Sequence, residues 1–394
     1  MKVLLCHNFY RHPGGEDESF ADEARILESQ GHQVLRYTRD SAALHALGKW
    51  DLARASIWNR QTYDEVGELI ARERPDIVHC TNIFPMISPS VYDAADDGGV
   101  AIVQALRNYR FICPAALLFR NGRVCEECLH KRVAWPAVVH GCYQDSRSFS
   151  AGIVATLALH RARQGWTGKI DMYFAPSQFT RAKYVEAGVP ADRIAVKPNC
   201  IHPDPGPASG SGGYVVFVGR LSHEKGVETL LAAWQQLSSD VRLVVVGDGP
   251  QADKVMRAAA ADPRIDWRGR QPTAEVLRIV GEAICLAMPS LSYETFGRTI
   301  VEAFSRGTPV VVSGTGAMAE LVEDGRTGYH ARTGDAADLA DTIARILASS
   351  MPDRARMREA ARQEYVRKFT AAPNHDRLID IYGRARAFRR ARAA

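Results

Sequence analysis

The chain has 394 residues, of which 46% are hydrophobic and 24% carry a charge, as in an ordinary globular protein. This length exceeds what a single hydrophobic core usually serves, so two domains are expected. The formal net charge of +5 is too small to indicate nucleic-acid binding, and no apolar run approaches the roughly 20 residues of a membrane-spanning helix.

Strand-like apolar runs alternate with helical patterns along the chain. The first run passes directly into polar His7 and Asn8, which predicts a first strand, no signal peptide and a cytoplasmic location. Strands are predicted at residues 3–6, 33–37, 77–80, 100–104, 172–175 and 194–196, and then at 214–218, 242–246, 265–267, 284–288 and 310–313. Such near-continuous apolar runs are typical of parallel strands buried on both faces, with helices between them, for example at 19–30 and 228–237.

Repeated strand–helix units predict an α/β fold with two Rossmann-like, doubly wound domains of parallel sheet. Residues 203–213, rich in Pro, Gly and Ser, indicate a linker. We therefore expect an N-terminal domain over residues 1–200, with a cysteine-rich insertion at 113–142, and a C-terminal domain over 201–370. A final helix over 371–394 is expected to pack back toward the N-terminal domain. Ligands of open α/β sheets bind beyond the carboxyl ends of the strands, so a central cleft faced by both domains is the expected site.

Two loops that follow predicted strands in the second half carry candidate anion-binding groups. Residues 218–226 combine glycines with Arg220 and Lys225, which can reach an anion from the end of the strand. The G-x-x-x-x-G-K-[ST] spacing of nucleoside-triphosphatase loops is missing, and a plain turn with two solvated cations is the alternative. Arg270 follows another strand end with a glycine, where a nucleobase could contact the backbone.

Glu294 and Glu302 lie eight residues apart, before and within a predicted helix. Phe296 and Gly297 at the helix start would leave backbone amides facing outward, which suits a diphosphate. At ~1.5 Å rise per residue, Glu302 lies roughly one and a half turns into that helix, where it could bind a ribose. Glu294 would then face the group on the other side of the diphosphate. An acid favoured by the helix dipole and an exposed helical glutamate are the alternative.

These residues belong to a longer pattern that resembles a known family. Around the two acids the sequence contains Tyr-Glu-Thr-Phe-Gly, Val-Glu-Ala and Gly-Thr-Pro-Val-Val, with Gly-Arg-Leu and Lys-Gly upstream. Gly-Ala-Met-Ala-Glu-Leu-Val at 316–322, Gly-Arg-Thr-Gly at 325–328 and Lys-Pro-Asn-Cys at 197–200 continue the pattern. Over nearly the whole chain it is similar to the retaining glycosyltransferases of family 4, which have the GT-B fold.

The resemblance implies roles for residues of the second half. Arg220 and Lys225 would neutralise the donor diphosphate in place of a divalent metal, so no catalytic metal is expected. Glu302 would hold the ribose, and Glu294 would contact the transferred sugar. The other donor-binding candidates of this half are Arg270, Phe296, Gly297 and Arg298.

In the first half, the resemblance points to a glycine pair and an arginine. Gly14 and Gly15 match a pair that approaches donor and acceptor in the family. Arg107 stands where many relatives carry a histidine directed at the donor sugar, which makes it a catalytic candidate whose partner is an anionic sugar, an acceptor or the diphosphate. The residues show no nucleophile on the opposite sugar face, so front-face transfer is expected, in which the leaving diphosphate takes the acceptor proton.

Four cysteines are spaced around a Cys-x2-Cys pair: Cys113, Cys125, Cys128 and Cys142. In a cytoplasmic chain, four thiolates at this spacing predict a structural zinc site that would fold the insertion beside the acceptor. The alternatives are buried or free thiols and a redox pair, and His130 and His140 are substitute zinc ligands.

Residues 150–166 combine an apolar face with a basic end, and the tail carries arginines between 384 and 392. Both features favour peripheral contact with an anionic membrane surface at the inner face, where a lipid-linked acceptor would lie. A helix packed in the core with a solvated basic end is the alternative.

The resemblance implies a retaining enzyme that moves a sugar from a nucleotide-diphosphate sugar to a hydroxyl of a glycan or lipid-linked acceptor, in cell-surface polysaccharide assembly. No nucleic-acid partner is expected. Rival hypotheses are a nucleotide-sugar epimerase or a phosphorylase of the same fold, and a non-catalytic nucleotide- or carbohydrate-binding scaffold with a zinc module. The pattern leaves open the sugar, the base, the acceptor, the linkage and the oligomeric state.

Overall fold

The computed structural model describes residues 1–11, 14–41, 55–163, 168–238 and 240–393. The chain divides into two compact units. The N-terminal unit comprises Met1–Leu117, Glu126–Cys200 and Ala371–Ala394, and the C-terminal unit comprises Leu118–Cys125 and Ile201–Thr370. Each unit contains a parallel sheet with helices, which confirms the predicted fold class of two Rossmann-like α/β domains.

The N-terminal unit is built on a parallel sheet with the strand order β2-β1-β3-β4-β7-β8. The strands of the first half are β1 Lys2–Phe9, β2 Gln33–Asp40, β3 Ile77–Cys80, β4 Ala101–Ala105, the hairpin strands β5 Phe119–Arg120 and β6 Arg123–Val124, β7 Met172–Ala175 and β8 Ile194–Val196. Every residue of β3, β4 and β7 is buried, because helices cover both faces of a parallel sheet. The apolar runs in the sequence reflect this burial.

Helices connect these strands. They are α1 Gly15–Ser29, α2 Arg60–Glu73, α3 Ser90–Asp97, α4 Pro136–Val139, α5 Arg147–Ala162 and α6 Gln178–Glu186. Helix α1 begins earlier than the predicted start at residue 19, because Gly14 is its N-cap and the carboxylate of Asp17 accepts a hydrogen bond from the Gly14 amide at 2.8 Å. This bond satisfies a backbone donor at the helix start that would otherwise be unpaired.

The C-terminal unit has a second parallel sheet with the strand order β11-β10-β9-β12-β13-β14. Its strands are β9 Tyr214–Val218, β10 Arg242–Val246, β11 Ile265–Trp267, β12 Cys285–Met288, β13 Val310–Ser313 and β14 Gly328–Ala331. Alternate side chains of β10 enter two different cores: Val244 and Val246 pack on one face, and Leu243 and Val245 on the other. Both faces are therefore apolar, and the strand reads as a continuous hydrophobic run.

The helices that cover this second sheet are α7 Val227–Gln236, α8 Ala252–Ala261, α9 Thr273–Glu282, α10 Arg298–Ser305, α11 Gly316–Leu321, α12 Ala336–Ala348 and α13 Met351–Lys368. The last helix, α14 Ala371–Ala393, belongs to the N-terminal unit and packs against β4 and β7. No helix in the described ranges is long and apolar enough to cross a membrane.

Strand β14 is not among the predicted strands. It has only four residues, and one of them is Gly328, which is depleted in strands generally. A Cβ atom at this position would lie 1.9 Å from the carbonyl oxygen of Val310, so the close approach of β13 and β14 requires glycine here.

Candidate functional site

Two loops meet at the carboxyl edge of the C-terminal sheet, where β9 and β12 are neighbours. The Lys225 ammonium, in the loop after β9, lies 2.6 Å from the carboxylate of Glu294, in the loop after β12. The Ser290 hydroxyl donates to the same carboxylate oxygen at 2.8 Å. The two side chains are partly buried, with 27% and 14% of their surfaces exposed. The fold thus brings together two residues that the sequence placed in separate motifs.

The backbones of the two loops interlock. The amide of Leu291 donates to the carbonyl oxygen of Glu224 at 2.8 Å. Gly226 has a φ of +72°, and a Cβ atom there would lie 1.9 Å from the carbonyl oxygen of Pro289. Only glycine combines this left-handed backbone with so close an approach. The interlock therefore fixes the position of Lys225 relative to Glu294.

Helix α10 begins at Arg298, and its N-cap residue Gly297 has a φ of +91° and is buried. The N-cap residue is a glycine and has no side chain to cap the helix, while the Ile300 amide donates to the Gly297 carbonyl oxygen at 2.9 Å. The two amides before Ile300 face the helix N-terminus, as at helix starts that bind anions. Within the helix, the Arg298 guanidinium donates to the carboxylate of Glu302 at 3.0 Å, and both side chains are about 10% exposed. The Phe296 side chain is buried in the core against Phe369, so any role in ligand binding falls to its backbone.

Two predicted arginines lie at strand ends of the same sheet. Arg220 follows β9, is exposed, and its guanidinium has no hydrogen bond or ion pair within the described ranges. Arg270 follows β11, is exposed as well, and makes contacts of its own. Backbone bonds join the strand ends, since the Gly219 amide donates to Val246 and the Gly247 amide donates to Gly269. Arg220 is thus a cation at the carboxyl edge, positioned to meet an anion.

The predicted glycine pair of the N-terminal unit lies at the start of α1. Gly14 has an ordinary extended backbone, with φ of −143°, and a Cβ atom there would have no neighbour within 4 Å. Neither the backbone nor the packing therefore requires glycine at this position. Gly15 is the first residue of α1 and is exposed.

Arg107 follows β4 and lies in a buried ionic cluster of the N-terminal unit. Its guanidinium is 2.6 Å from the carboxylate of Glu23 and also bonds to the side chain of Asn199. The Lys197 ammonium is 2.5 Å from the same Glu23 oxygen, so one carboxylate is shared by two cations. Burial alone would raise the pKa of Glu23, but Arg107 and Lys197 outweigh it and hold the pKa far below its usual range.

His79 borders this cluster, and its Nδ1 atom lies 2.8 Å from the Tyr382 hydroxyl. Burial lowers the pKa of His79 to about 4, and the neighbouring cations add to this effect while Glu23 opposes it. The imidazole is therefore neutral at neutral pH. The charged groups of the cluster are Glu23, Arg107 and Lys197.

Comparisons with known proteins match both halves of the chain. The family model described as Glycosyltransferase Family 4 matches residues 13–205, and the model described as Glycosyl transferases group 1 matches residues 204–364. The chain belongs to the family 4-like glycosyltransferases of the GT-B fold. The resemblance inferred from the residue pattern is thereby confirmed.

Curated members of the glycosyltransferases align with part of the chain. The α-maltose-1-phosphate synthase of Mycolicibacterium smegmatis is 33% identical over 44% of this chain and 48% of its own length. The 2-deoxystreptamine glucosyltransferase of Streptomyces kanamyceticus is 37% identical over 37% of this chain and 40% of its own length. The aligned part of the chain thus spans about half, or less, of these two relatives.

Solved structures of glycosyltransferases share the fold. The sucrose-phosphate synthase of Thermosynechococcus elongatus has a TM-score of 0.72 at 16% identity and covers 98% of this chain and 99% of its own. Anabaena HepE, crystallised with UDP-glucose, has a TM-score of 0.68 at 18% identity and covers 97% of this chain and 100% of its own. Identities this low establish the fold alone.

Several residues of this glycosyltransferase are absent from the sequence-based prediction. Ser290 contacts Glu294, and a polar residue at a strand end within four positions of the acid was the available signal. Glu23 and His79 carried no such signal, because a helical acid and a histidine within an apolar strand are usually structural. Their proximity to Arg107 depends on the fold.

The cysteine set is divided between the two units of this glycosyltransferase. Cys125 belongs to the C-terminal unit, and the other three predicted ligands, Cys113, Cys128 and Cys142, belong to the N-terminal unit. Cys128 and Cys142 pack in one small apolar cluster. Within the described ranges no group of three or more His, Cys, Asp or Glu side chains is arranged to hold a metal ion. The zinc site stays a prediction.

The basic segments expected at a membrane make internal contacts in this glycosyltransferase. In α14, Arg389 and Arg392 pair with Asp96, and Arg384 donates to the carbonyl oxygen of Asp192 at 2.8 Å. In α5, Arg161 donates to the carbonyl oxygen of Lys131 at 2.7 Å. Residues 164–166 of the predicted segment lie outside the described residues. These arginines therefore give no support to membrane contact.

Proposed function

We propose that this protein transfers a sugar from a nucleotide-diphosphate sugar to a hydroxyl of a glycan or lipid-linked acceptor, with retention of anomeric configuration. The observation that carries the proposal is the contact of Lys225 with Glu294 at the carboxyl edge of the C-terminal sheet. The start of α10 and exposed Arg220 follow strands of the same sheet. Cations, helix N-terminal amides and an acid suit a diphosphate joined to a sugar.

In this proposal the protein supplies the positive charge that the diphosphate needs. Arg220 and Lys225 pair with the phosphate oxygens, and the first-turn amides of α10 donate to them. The bound donor would then compete with Glu294 for Lys225. Glu302 accepts from the ribose hydroxyls, and Glu294 contacts the sugar. No divalent metal is part of the proposal.

The chemical step breaks the bond between the anomeric carbon and the diphosphate oxygen and forms a bond between that carbon and the acceptor oxygen. The acceptor proton passes to the leaving diphosphate on the same face of the sugar, which retains the configuration. Negative charge grows on the diphosphate as the bond breaks. Lys225 and Arg220 stabilise that charge, because they are already placed at the site before the reaction.

The comparisons give limited support to the choice of donor and acceptor. HepE was crystallised with UDP-glucose, and the chain shares its fold at 18% identity. A mannosyltransferase of phosphatidyl-myo-inositol from Mycobacterium leprae is 29% identical over 55% of this chain and 60% of its own length. We place the protein in cell-surface polysaccharide assembly at the cytoplasmic side on the basis of the residue pattern.

The donor is tested by thermal unfolding of the purified protein with a panel of UDP-, GDP- and ADP-sugars. A donor present at about 100 times its Kd stabilises the folded state by about 2.7 kcal/mol, which raises the Tm by several degrees. Lys225→Ala should abolish most of the shift. Lys254→Ala is the matched control, because Lys254 also pairs with a glutamate of the C-terminal unit, Glu228.

The reaction itself is tested by nuclear magnetic resonance of the products formed from the donor that binds. Retained anomeric configuration supports the proposal, and inversion contradicts its mechanism. If the protein binds a nucleotide-sugar but neither hydrolyses it nor transfers the sugar to any acceptor offered, the non-catalytic scaffold becomes the better description. If no nucleotide-sugar raises the Tm, the donor assignment is wrong.

Structural zinc on the four cysteines is a separate proposal. Metal analysis of protein purified under reducing conditions should find about one zinc per chain, since four thiolates bind one tetrahedral ion. The variant Cys125→Ser should contain less. Metal-free protein with normal folding contradicts the proposal.

A further inference from the structure

The N-terminal unit contains a cavity at the carboxyl ends of β3 and β4, with one side closed by α5. The cavity has a volume of about 50 Å³ and opens to solvent. Apolar side chains make up much of its wall: Ile83, Phe84, Phe111, Ile153 and Leu157. A concave, mostly apolar wall with a few polar groups is typical of small-molecule sites.

Two arginines, Arg107 and Arg110, are among the described residues that line the cavity, and no Asp or Glu is among them. Arg110 is half-buried between two aromatic rings, with its guanidinium carbon 5.0 Å from the ring centre of Phe84 and 5.2 Å from that of Tyr143. It bonds to the carbonyl oxygen of Pro114 and forms no ion pair within the described ranges. A cation removed from much of the solvent, with no counter-ion, favours an anionic ligand.

Two acids near the cavity, Glu23 and Glu16, already have ion-pair or hydrogen-bond partners. Glu23 is shared by Arg107 and Lys197. Asn108 donates to Glu16 at 2.8 Å, and the Tyr10 hydroxyl also donates to it. Burial first, and then Glu16, raise the pKa of Tyr10 well above its usual value, so Tyr10 stays neutral. The wall therefore presents positive charge beside apolar surface.

We propose that this cavity binds the acceptor and that the acceptor carries an anionic phosphate or carboxylate group next to an apolar group. The anionic group pairs with Arg110, and the apolar group packs against Phe111 and Leu157. The identification of the ligand as the acceptor rests on the proposed function. The chemical class of the ligand is inferred from the residues that line the cavity. This narrows the acceptor from any glycan or lipid-linked molecule to anionic, partly apolar molecules.

The first test measures binding of hexyl phosphate, inorganic phosphate and hexanol to the purified protein by calorimetry. Hexyl phosphate combines the two groups, and the other probes carry one each. We expect its Kd to be lower than that of either single-group probe by about tenfold or more, since an apolar contact and a charged hydrogen bond contribute together. Equal affinity for hexyl phosphate and inorganic phosphate, or for hexyl phosphate and hexanol, overturns the proposal. This comparison needs no variant.

The second test assigns the anionic group to Arg110. Arg110→Gln should raise the Kd of hexyl phosphate about tenfold or more and leave that of hexanol unchanged, because only the charged contact is lost. Arg110→Lys should retain part of the affinity. Arg147→Gln is the matched control, since Arg147 is an exposed arginine of the same unit outside the cavity wall. Equal effects of Arg110→Gln and Arg147→Gln overturn the assignment.

A competition experiment separates the acceptor from the other source of phosphate, the donor. If the cavity serves the acceptor, UDP should not displace hexyl phosphate from the protein. Displacement by UDP assigns the arginines to the donor and overturns the proposal. The thermal shift with nucleotide-sugars is measured on the same preparation, so a failure of the donor assignment is distinguished from a failure of this inference.

Discussion

Each of the two acids recognised in the sequence has its own cationic partner in the C-terminal unit. Glu294 accepts from Lys225 and Ser290 in the loops, and Glu302 accepts from Arg298 in helix α10. A general acid–base pair acting on one bond would need both carboxylates at that bond. Because the two acids have separate partners, they are better suited to contact two different parts of one extended donor, the sugar and the ribose, as proposed above.

This division predicts different kinetic losses for the two acids. Glu302→Ala should raise the donor Kd about tenfold with a small effect on kcat, because a charged hydrogen bond to bound donor is lost. Glu294→Ala should lower kcat about 100-fold or more and change the Kd little, because its contact acts mainly in the transition state. Steady-state kinetics and calorimetry of both variants provide the check. Equal losses of both parameters in both variants would contradict the division.

The buried histidine predicts a pH dependence of stability. The pKa of His79 falls from its ordinary value of 6.5 in the unfolded chain to about 4 in the folded protein. Between these values the unfolded state binds more protons, so stability is lost as the pH falls through this window. From about pH 7.5 to about pH 5 the loss due to His79 is about 2 kcal/mol.

Urea denaturation at both pH values measures this loss in the wild-type protein and in His79→Gln. Since the variant has no group that titrates at this position, its own loss over the same range should be smaller by about 2 kcal/mol. An identical pH dependence in the two proteins would rule out His79 as the source.

At the level of elements, the loops at the carboxyl edge of the C-terminal sheet depend on glycine for two different reasons. Gly226 and Gly269 both have a positive φ, +72° and +63°. At Gly226 a side chain would also meet the Pro289 carbonyl oxygen, whereas at Gly269 nothing lies within 4 Å. At Gly269 only the left-handed backbone conformation requires glycine. At Gly226 both the backbone conformation and the close approach of the Pro289 carbonyl oxygen require it.

Alanine substitutions separate the two requirements. Gly269→Ala should lower the free energy of unfolding by about 1–2 kcal/mol, the cost of a left-handed backbone. Gly226→Ala should lower it by about 2–5 kcal/mol, because the loops must also move apart. Gly226→Ala should also weaken donor binding, because Lys225 directly precedes Gly226 and would be displaced with the loop. Chemical denaturation and donor binding measure both effects, and equal costs for the two variants would argue against the interlock.

At the level of the whole molecule, the chain returns to the N-terminal unit after completing the C-terminal one. Helix α14 places Leu378, Ile381 and Tyr382 in the core between the first sheet and α1. The Tyr382 hydroxyl also contacts His79 of β3. The core of the N-terminal unit is therefore completed by residues from the far end of the described chain.

Substitution of Tyr382 should destabilise one unit selectively. Tyr382→Ala should cost the N-terminal unit about 3–5 kcal/mol, because a fully buried ring is removed. Tyr382→Phe, which removes only the hydroxyl, should cost about 1–2 kcal/mol. Hydrogen exchange read by mass spectrometry should show faster exchange across residues 1–117 and no change across 214–331. Equal acceleration in both ranges would show that the two units unfold together.

The sequence by itself determined the α/β class, most strands and the order of groups at the candidate donor site. Residues 242–246 could be predicted as a strand because apolar side chains on both faces give an uninterrupted run over 243–246. Glu294, Gly297 and Glu302 could be placed around a helix start because they lie within a short stretch whose periodicity and glycine mark that start. These properties are local, so the residue pattern contains them.

Only the tertiary structure decided which distant side chains meet. Glu23 and Lys197 are 174 positions apart, and Lys225 and Glu294 are 69 apart, yet each pair is in contact. Arg110 is a further example, because the cavity that it lines is formed by several separate segments of the chain. No Asp or Glu is among the described residues that line this cavity. Burial and charge pairing arise when the strands bring such residues to one edge of a sheet. A local sequence pattern does not predict this arrangement, because the arrangement is stabilised by contacts between segments that are far apart in the chain.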